Sequence, residues 1–362
     1  MAKEKYYSLN EILKKNAKYN VIFGERSNGK TYSVLLHGLK NYCEKGEQMA
    51  LVRRWAEDLV SRKRGATMFD ALVGDGWISK LTKGEWSGVY FLGLQWFLCR
   101  YNEKHERIVA DEPFCFGFSI SAMEHDKSTS YNRITTICFD EFITRNSYLP
   151  DEFVLFENVC STIIRQRTNV TIFMLGNTVN KYCPYFKEMG LTHIKDMKQG
   201  TIDLYTYGKT DLTVAVEYTA SGKGKASDVY FAFDNPKLKM ITTGGWELDI
   251  YPHCPKKYRM NDILFIYFIE FDDVTLQCEI VMKDDDIFTF IHEKTTELKH
   301  PEQDLIYSTK IDVRANWMRN ILKPRTEIQK RITRFFLIDK VFYQDNTVGD
   351  VVMNYLNWCK SN

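Results

Sequence analysis

Gly24-Glu25-Arg26-Ser27-Asn28-Gly29-Lys30-Thr31 follows the apolar run Asn20-Val21-Ile22-Phe23 and leads into a segment with helical spacing, Lys30 to Lys45. The eight residues match GxxxxGK[ST] at every fixed position, between a strand and a helix, as the motif's chemistry requires. Glycines let the backbone curl so that N–H groups face phosphate oxygens. The start of the following helix adds its dipole. Gly24 to Thr31 therefore read as a cradle for ATP, with Lys30 reaching the β- and γ-phosphates and Thr31 a ligand of Mg2+. The bland alternative, a chance glycine-rich turn, explains neither the strand before it nor the helix after it. Outward from the loop, Gln48–Val52 reads as a second strand ending at Arg53 and Arg54. This β-loop-α-β order predicts an α/β fold with a mainly parallel sheet covered by helices.

A second acidic motif extends the reading. Ile134 to Phe139 is an apolar strand ending in Asp140-Glu141. Asp140 fits a holder of Mg2+, directly or through water, and Glu141 fits the base that polarises attacking water. Such a pair alone is often merely solvated; its place after a phosphate loop gives it weight. A dedicated water-activating glutamate suits a hydrolysing motor better than a kinase, which must exclude water. The next strand, Val170–Leu175, ends in Gly176-Asn177-Thr178. Asn177 is expected to sense the γ-phosphate and the attacking water; the alternative is a turn glycine with an Asn cap. Arg165 and Arg167 precede that strand. Either fits an arginine inserted into a neighbouring subunit's site, with Arg167 preferred; the competing reading is a solvated helix terminus, where cations suit the dipole. Arg53 and Arg54 would meet phosphate, a neighbouring subunit or DNA, and the sequence does not choose.

The formal net charge of +2 excludes a uniformly basic nucleic-acid binder but permits local patches. Arg62-Lys63-Arg64, the pair Lys223 and Lys225, and Lys323 to Arg334 are basic, and such runs are ordinarily solvated faces. In a ring-shaped motor some would turn toward a central channel and meet DNA phosphates without reading sequence. Glu124 to Ser130 is a candidate channel loop through Lys127. Nine cysteines with no CxxC pair suggest a reducing compartment and no zinc site, with Cys138 a small buried hydrophobe. The polar opening, Met1 to Asn20, does not read as a signal peptide. No apolar run approaches the about 20 residues of a membrane span. The expected location is the cytoplasm, with no membrane partner.

Residues 7–17 read as a short helix with Ser8 as cap and Glu11 three residues on. Short strands follow around Gly88–Arg100 with a turn near Asn102–Lys104, then a strand at Phe114–Ser119. Residues 151–165 read as helix, and helix–strand alternation runs to about residue 205. Ala220 to Ser227 are small, flexible and basic, as in a linker. Beyond it, Ile263–Glu270 and Thr275–Met282 flank Asp272-Asp273 as a hairpin would, and helices are expected from Arg314 to Arg334 and from Val348 to Cys359. The expected organisation is a nucleotide-binding domain over 1–205, a linker over 206–227, and an α+β domain over 228–362.

Taken together, GERSNGKTY (24–32), VRR (52–54), SYNRITTICFDEF (130–142) and LGNTVNKYCPYFK (175–187) resemble the terminase-type packaging ATPases of tailed phages. The short chain resembles the small encapsidation ATPases of podophages with protein-primed genomes. The resemblance is specific over about residues 20–190. It implies an ASCE-type P-loop ATPase acting in a homo-oligomeric ring, commonly pentameric, at the portal of a procapsid in the host cytoplasm. Such a ring translocates double-stranded DNA, and some members dock through a structural RNA. By matched position, Lys30 and Thr31 would take nucleotide and Mg2+, Asp140 and Glu141 metal and water, Asn177 the coupling role, and Arg167 the trans-acting arginine. In larger terminases the C-terminal domain is an RNase H-like nuclease. Here Glu270, Asp272, Asp273 and Asp284 to Asp286 are the available carboxylates, and most fall in expected turns, so a vestigial, inactive nuclease is expected. Two other classes stay open: a helicase or recombination ATPase, which would unwind a forked duplex, and a nucleotide-dependent switch, which would turn over slowly and ignore DNA.

Overall fold

A computed structural model describes residues 7–60, 64–125, 130–144, 148–178, 183–220 and 251–361. The chain divides into two compact units, the first built mostly from residues up to Trp246 and the second mostly from Glu247 onward.

The first unit is a nine-stranded sheet in the order β3-β4-β5-β2-β6-β7-β1-β9-β8. Its strands are β1 (Tyr19–Gly24), β2 (Gln48–Arg53), β3 (Gly88–Leu92), β4 (Gln95–Tyr101), β5 (Arg107–Ser119), β6 (Ile134–Asp140), β7 (Thr171–Asn177), β8 (Thr201–Thr206) and β9 (Thr213–Tyr218). The run from β5 through β9 is parallel, and an antiparallel strand or pair closes each edge. β6 is buried along its whole length, which is why its sequence shows no alternation of apolar and charged residues before Asp140. β7 lies between β1 and β6, so the phosphate loop and the acidic pair end on the same side of the sheet, one strand apart.

Helices cover both faces. α1 (Asn10–Leu13) is followed by α2 (Lys30–Lys45), then the short α3 (Glu57–Val60), α4 (Asp70–Gly74) and α5 (Trp77–Leu81), then α6 (Glu152–Ile164) and α7 (Pro184–Glu188). Val34, Leu35 and Leu39 of α2 share a core cluster with Met49, Leu51, Cys138 and Phe173. The next residue along β6, Phe139, faces the other way, stacking on Phe156 of α6 at 4.8 Å and meeting Tyr185 of α7 edge-on at 5.6 Å.

The second unit carries a six-stranded sheet in the order β14-β13-β10-β11-β12-β15. β10 (Ile263–Phe271), β11 (Val274–Lys283) and β12 (Asp286–Glu293) form an antiparallel meander; β13 (Ile306–Ser308), β14 (Trp317–Met318) and β15 (Val341–Tyr343) add in parallel. Three antiparallel strands followed by parallel additions beside the first are compatible with the RNase H-like expectation. The two-residue turns Asp272-Asp273 and Asp284-Asp285 have positive φ throughout (51°, 58°, 50° and 63°), the hairpin geometry that Asp tolerates. α8 (Glu327–Leu337) and α9 (Asn346–Ser361) supply Ile332, Val351, Val352 and Tyr355 to its core.

Four expectations are corrected. The helix expected over 7–17 is confined to Asn10–Leu13, and its N-cap residue is Leu9, with no side-chain cap. The strand expected at Phe114–Ser119 begins at Arg107, as one long strand paired with β4. Residues 213–218, expected within a linker, are β9, which pairs with β1 on one side and the edge strand β8 on the other; the apolar run Val214, Ala215 and Val216 is too short to announce this. The helix expected from Arg314 starts only at Glu327, because Thr326 caps it in a reciprocal box with Gln329 and Pro324 precedes it. Most of the basic Ala220 to Ser227 segment lies outside the described residues. Among the described residues, no helix is long and apolar enough to cross a membrane.

Candidate active site

The loop between β1 and α2 has the geometry its sequence demands. Gly29 precedes α2 in the left-handed region at φ 92°, and Ser27 is also left-handed at φ 61°. Gly24 is required sterically: a Cβ there would lie 2.1 Å from the Thr219 hydroxyl oxygen, just past the end of β9. Neighbouring strand ends hold the loop in place. The Thr178 amide donates to the Gly24 carbonyl at 3.1 Å, the Thr219 amide to the Phe23 carbonyl at 2.9 Å, and Asn28 Nδ2 to Thr219 Oγ1 at 2.9 Å. Tyr7 adds a strap from the N-terminal side. Its amide donates to the Asn28 carbonyl, its carbonyl accepts from Ser33 Oγ, and its hydroxyl donates to Glu217 at 2.6 Å.

A cavity of about 360 Å³ opens here, lined by Arg26 to Tyr32, Asp140, Glu141, Leu175, Gly176 and Asn177. Lys30 is buried in its wall. Its ammonium donates to the Glu25 carbonyl at 2.6 Å, to Asn28 Oδ1 at 3.2 Å and to Asn177 Oδ1 at 3.4 Å. Burial pulls its pKa down to about 8, against the opposing pull of Asp140 and Glu25. An ammonium short of compensating charge in a polar cavity suits an anionic ligand.

Across the cavity, Thr31 Oγ1 donates to Asp140 Oδ1 at 3.1 Å. Arg53, at the end of β2, bridges both carboxylates: Nη2 lies 2.8 Å from Asp140 Oδ2 and Nη1 2.9 Å from Glu141 Oε2. The Asp140 side chain is 7% exposed and that of Glu141 57%, so the first is enclosed and the second reaches solvent. Burial raises the Asp140 pKa, while Arg53 and the Thr31 hydrogen bond hold it down. Arg53 Nε is buried with no hydrogen-bond partner among the described residues. A hydroxyl and a carboxylate are the hard oxygen donors that Mg2+ takes, so Thr31 and Asp140 fit that ion. Lys30 fits phosphate.

The expected residues thus come together around one cavity, with exceptions. Arg54 is not available to DNA. It is buried, doubly bonded to the fully buried Glu152 at 2.7 and 2.8 Å. Arg53 faces its own acidic pair. The Arg167 guanidinium donates to four carbonyls of its own chain, those of Asn132, Ile134, Tyr131 and Ile163, at 2.6 to 3.1 Å. Arg165 is the exposed one, at the C-cap of α6, with φ 52° and ψ −122°. Arg64 pairs with Asp58 at the surface, while Arg62, Lys63, Lys127, Lys223 and Lys225 lie outside the described residues. Lys323, Lys330, Arg331 and Arg334 are exposed, as a solvated face would be. Sequence reading missed Thr219, Tyr7 and the bridging role of Arg53. The Arg53 signal was in view, since a strand of the same parallel sheet ends in arginine.

Residues 104–224 match the family model described as Podovirus DNA encapsidation protein (Gp16). A DNA packaging protein of Bacillus phage B103 is 29% identical over 182 residues, which are 48% of this chain and 48% of that protein, so the match spans about half the length of the relative. Among solved structures, the Phi-28 gp11 DNA packaging motor superposes with a TM-score of 0.58 at 16% identity, covering 99% of this chain and 98% of that one. The bacteriophage Phi-29 viral genome packaging motor assembly gives 0.60 at 17% identity, covering 96% and 97%. At such identities the structures show a shared fold. The expected α/β P-loop fold and the resemblance to phage DNA-encapsidation proteins are both borne out. The family match includes Asp140, Glu141 and Asn177 and starts after the phosphate loop, which rests on its own motif and geometry.

Proposed function

We propose that this chain is an ATPase that drives double-stranded viral DNA into a procapsid through its portal. The observation that carries the proposal is the convergence of Lys30, Thr31, Asp140, Glu141 and Asn177 on one cavity, in a chain similar to DNA packaging proteins. Lys30 and the loop amides from Gly24 to Thr31 bind the phosphates. Thr31 and Asp140 hold Mg2+, which when bound neutralises phosphate charge and aligns the leaving group. Glu141, reaching solvent beside the enclosed Asp140, orients and deprotonates the attacking water. Asn177, already touching Lys30, reports the state of the γ-phosphate to the end of β7. Arg53 holds Glu141 and Asp140 between turnovers and yields Asp140 to the ion. Arg165, exposed at the end of α6, is the arginine that enters a neighbouring subunit's site in a homo-oligomeric, pentameric ring. A structural packaging RNA is a further partner, and the host cytoplasm, at the procapsid, is the place of action.

The second unit is proposed to be nuclease-like and inactive. Its turn carboxylates are split between opposite ends of β11, Asp272 and Asp273 at one and Asp284 and Asp285 at the other. Ten extended residues separate them by roughly 30 Å, far beyond the span of a two-metal site. Among the described residues no group of three or more His, Cys, Asp or Glu could hold a metal. Cleavage of plasmid DNA by the full chain with Mn2+, lost on substituting these carboxylates, would overturn this part.

Steady-state ATPase of wild type and Glu141→Gln, with and without double-stranded DNA and portal, tests the main proposal. Stimulated turnover that Glu141→Gln reduces to a small residual rate while nucleotide still binds is the expected result. Turnover indifferent to DNA and portal alike would sink the motor, and normal hydrolysis by Glu141→Gln would sink the assigned chemistry.

A further inference from the structure

Arg54 follows directly on β2 and carries its charge into the protein interior. Its Nε and Nη2 lie 2.7 and 2.8 Å from the two oxygens of Glu152, whose side chain is 0% exposed. The same carboxylate accepts from the Tyr185 hydroxyl at 2.8 Å and from the Leu149 amide at 2.8 Å. Replacing such a buried pair by hydrocarbon is often neutral or stabilising, so stability alone does not account for it.

What a guanidinium does here and hydrocarbon would not is donate to two consecutive carbonyls. Arg54 Nη1 donates to the Glu141 carbonyl at 3.2 Å and Nη2 to the Phe142 carbonyl at 2.8 Å. Glu141 needs that support, since its backbone is left-handed at φ 62°. A non-glycine residue holds this conformation only against steric strain. Relaxing it would turn the peptide after Glu141 and swing the side chain away from its place beside Asp140. On the far side, the Phe142 amide donates to the Leu175 carbonyl at 3.1 Å, so the segment is held from both β2 and β7.

We propose that Arg54, oriented by Glu152 and Tyr185, is a positioning residue for hydrolysis, clamping the Glu141–Phe142 backbone so that the Glu141 carboxylate stays at the cavity. Arg54 does not touch nucleotide; it acts through Glu141. Because Glu152 opens α6 and Tyr185 lies in α7, the clamp links the orientation of the glutamate to the helices on that face of the sheet. The inference rests on Glu141 being the water-activating residue, as proposed above.

The test compares full-length Arg54→Lys, Glu152→Gln and Tyr185→Phe with wild type and Glu141→Gln, measuring kcat, KM for ATP, affinity for a fluorescent nucleotide, and thermal unfolding. Lysine keeps the charge but cannot bond Glu152 twice and two carbonyls together. Arg54→Lys is expected to lower kcat about 100-fold, the scale of a misplacement near 1 Å, with KM and nucleotide affinity within about twofold of wild type. Tyr185→Phe, which removes one hydroxyl, is expected to lower kcat about 3- to 10-fold with the same split. In a Glu141→Gln background, Arg54→Lys is expected to leave the residual rate unchanged, because its effect runs through Glu141; a general structural defect would lower it further. Should Arg54→Lys fail to fold, Glu152→Gln and Tyr185→Phe carry the same test. A folded Arg54→Lys protein with normal kcat, or a kcat loss matched by lost nucleotide affinity, overturns the clamp while leaving the main proposal intact. Normal hydrolysis by Glu141→Gln overturns the main proposal instead.

Discussion

Arg53 Nη1 lies 2.9 Å from Glu141 Oε2, so the residue assigned to activate water is paired with a cation of its own subunit. The same guanidinium reaches Asp140, where burial raises the carboxyl pKa and Arg53 opposes the rise. Arg53→Met is expected to let that pKa climb further. Asp140 must be ionised to hold Mg2+, so activity is lost as pH falls through its pKa. The acid limb of the ATPase pH profile should therefore move to higher pH. A limb at the wild-type position would show that Arg53 does not govern Asp140.

Lys30 gives a second pH dependence of opposite kind. Its pKa in the folded chain is pulled down to about 8 by burial, from an ordinary 10.5. A bound phosphate would favour the ammonium and raise the pKa again. Nucleotide affinity is then full below pH 8 and falls as pH rises above it, by about tenfold per pH unit. Without nucleotide the sign is reversed. The folded state binds fewer protons at Lys30 than the unfolded chain between pH 8 and 10.5, so this residue's contribution to stability rises with pH over that window. Calorimetry in two buffers of different ionisation enthalpy should register proton uptake on nucleotide binding near pH 8.5, and uptake of none would refute the linkage.

Gly24 and Thr219 are in contact although nearly two hundred residues separate them in sequence. A methyl group at Gly24 would meet Thr219 Oγ1 at 2.1 Å. Gly24→Ala should weaken nucleotide binding at least tenfold, equivalent to about 1.4 kcal/mol. Thr219→Ala removes the clashing oxygen and should restore part of the loss when combined with it. If the double variant binds no better than Gly24→Ala alone, the β9 end is not what constrains the loop.

How much of this was legible follows from the range of the contacts. The phosphate loop, the acidic strand end and the Asp272-Asp273 hairpin are local patterns, and each forms at its expected place. Arg53 and Arg54 were noticed, yet their partners depend on β2 lying beside β6, a neighbour relation that no local pattern encodes. Thr219 is informative only once β9 pairs with β1. From sequence a basic residue after a helix reads as solvated or as free to reach a neighbour, whereas the Arg167 guanidinium ties together carbonyls of α6 and of the segment leading into β6.

The two arginines after α6 differ in setting and can be separated experimentally. Arg167→Ala removes a charged donor from four carbonyls and should cost about 2 kcal/mol of stability. Arg165 sits at φ 52° and ψ −122°, a conformation that glycine adopts readily. Arg165→Gly should therefore relieve backbone strain at that position. Its turnover should nevertheless collapse if Arg165 serves a neighbour's site. Complementation then decides the matter. Arg165→Gly subunits keep an intact Glu141 and Glu141→Gln subunits keep an intact Arg165, so mixed rings should recover ATPase that neither variant shows alone. Mixtures that stay inactive at every ratio, with both variants folded and assembling, would remove Arg165 from the trans role.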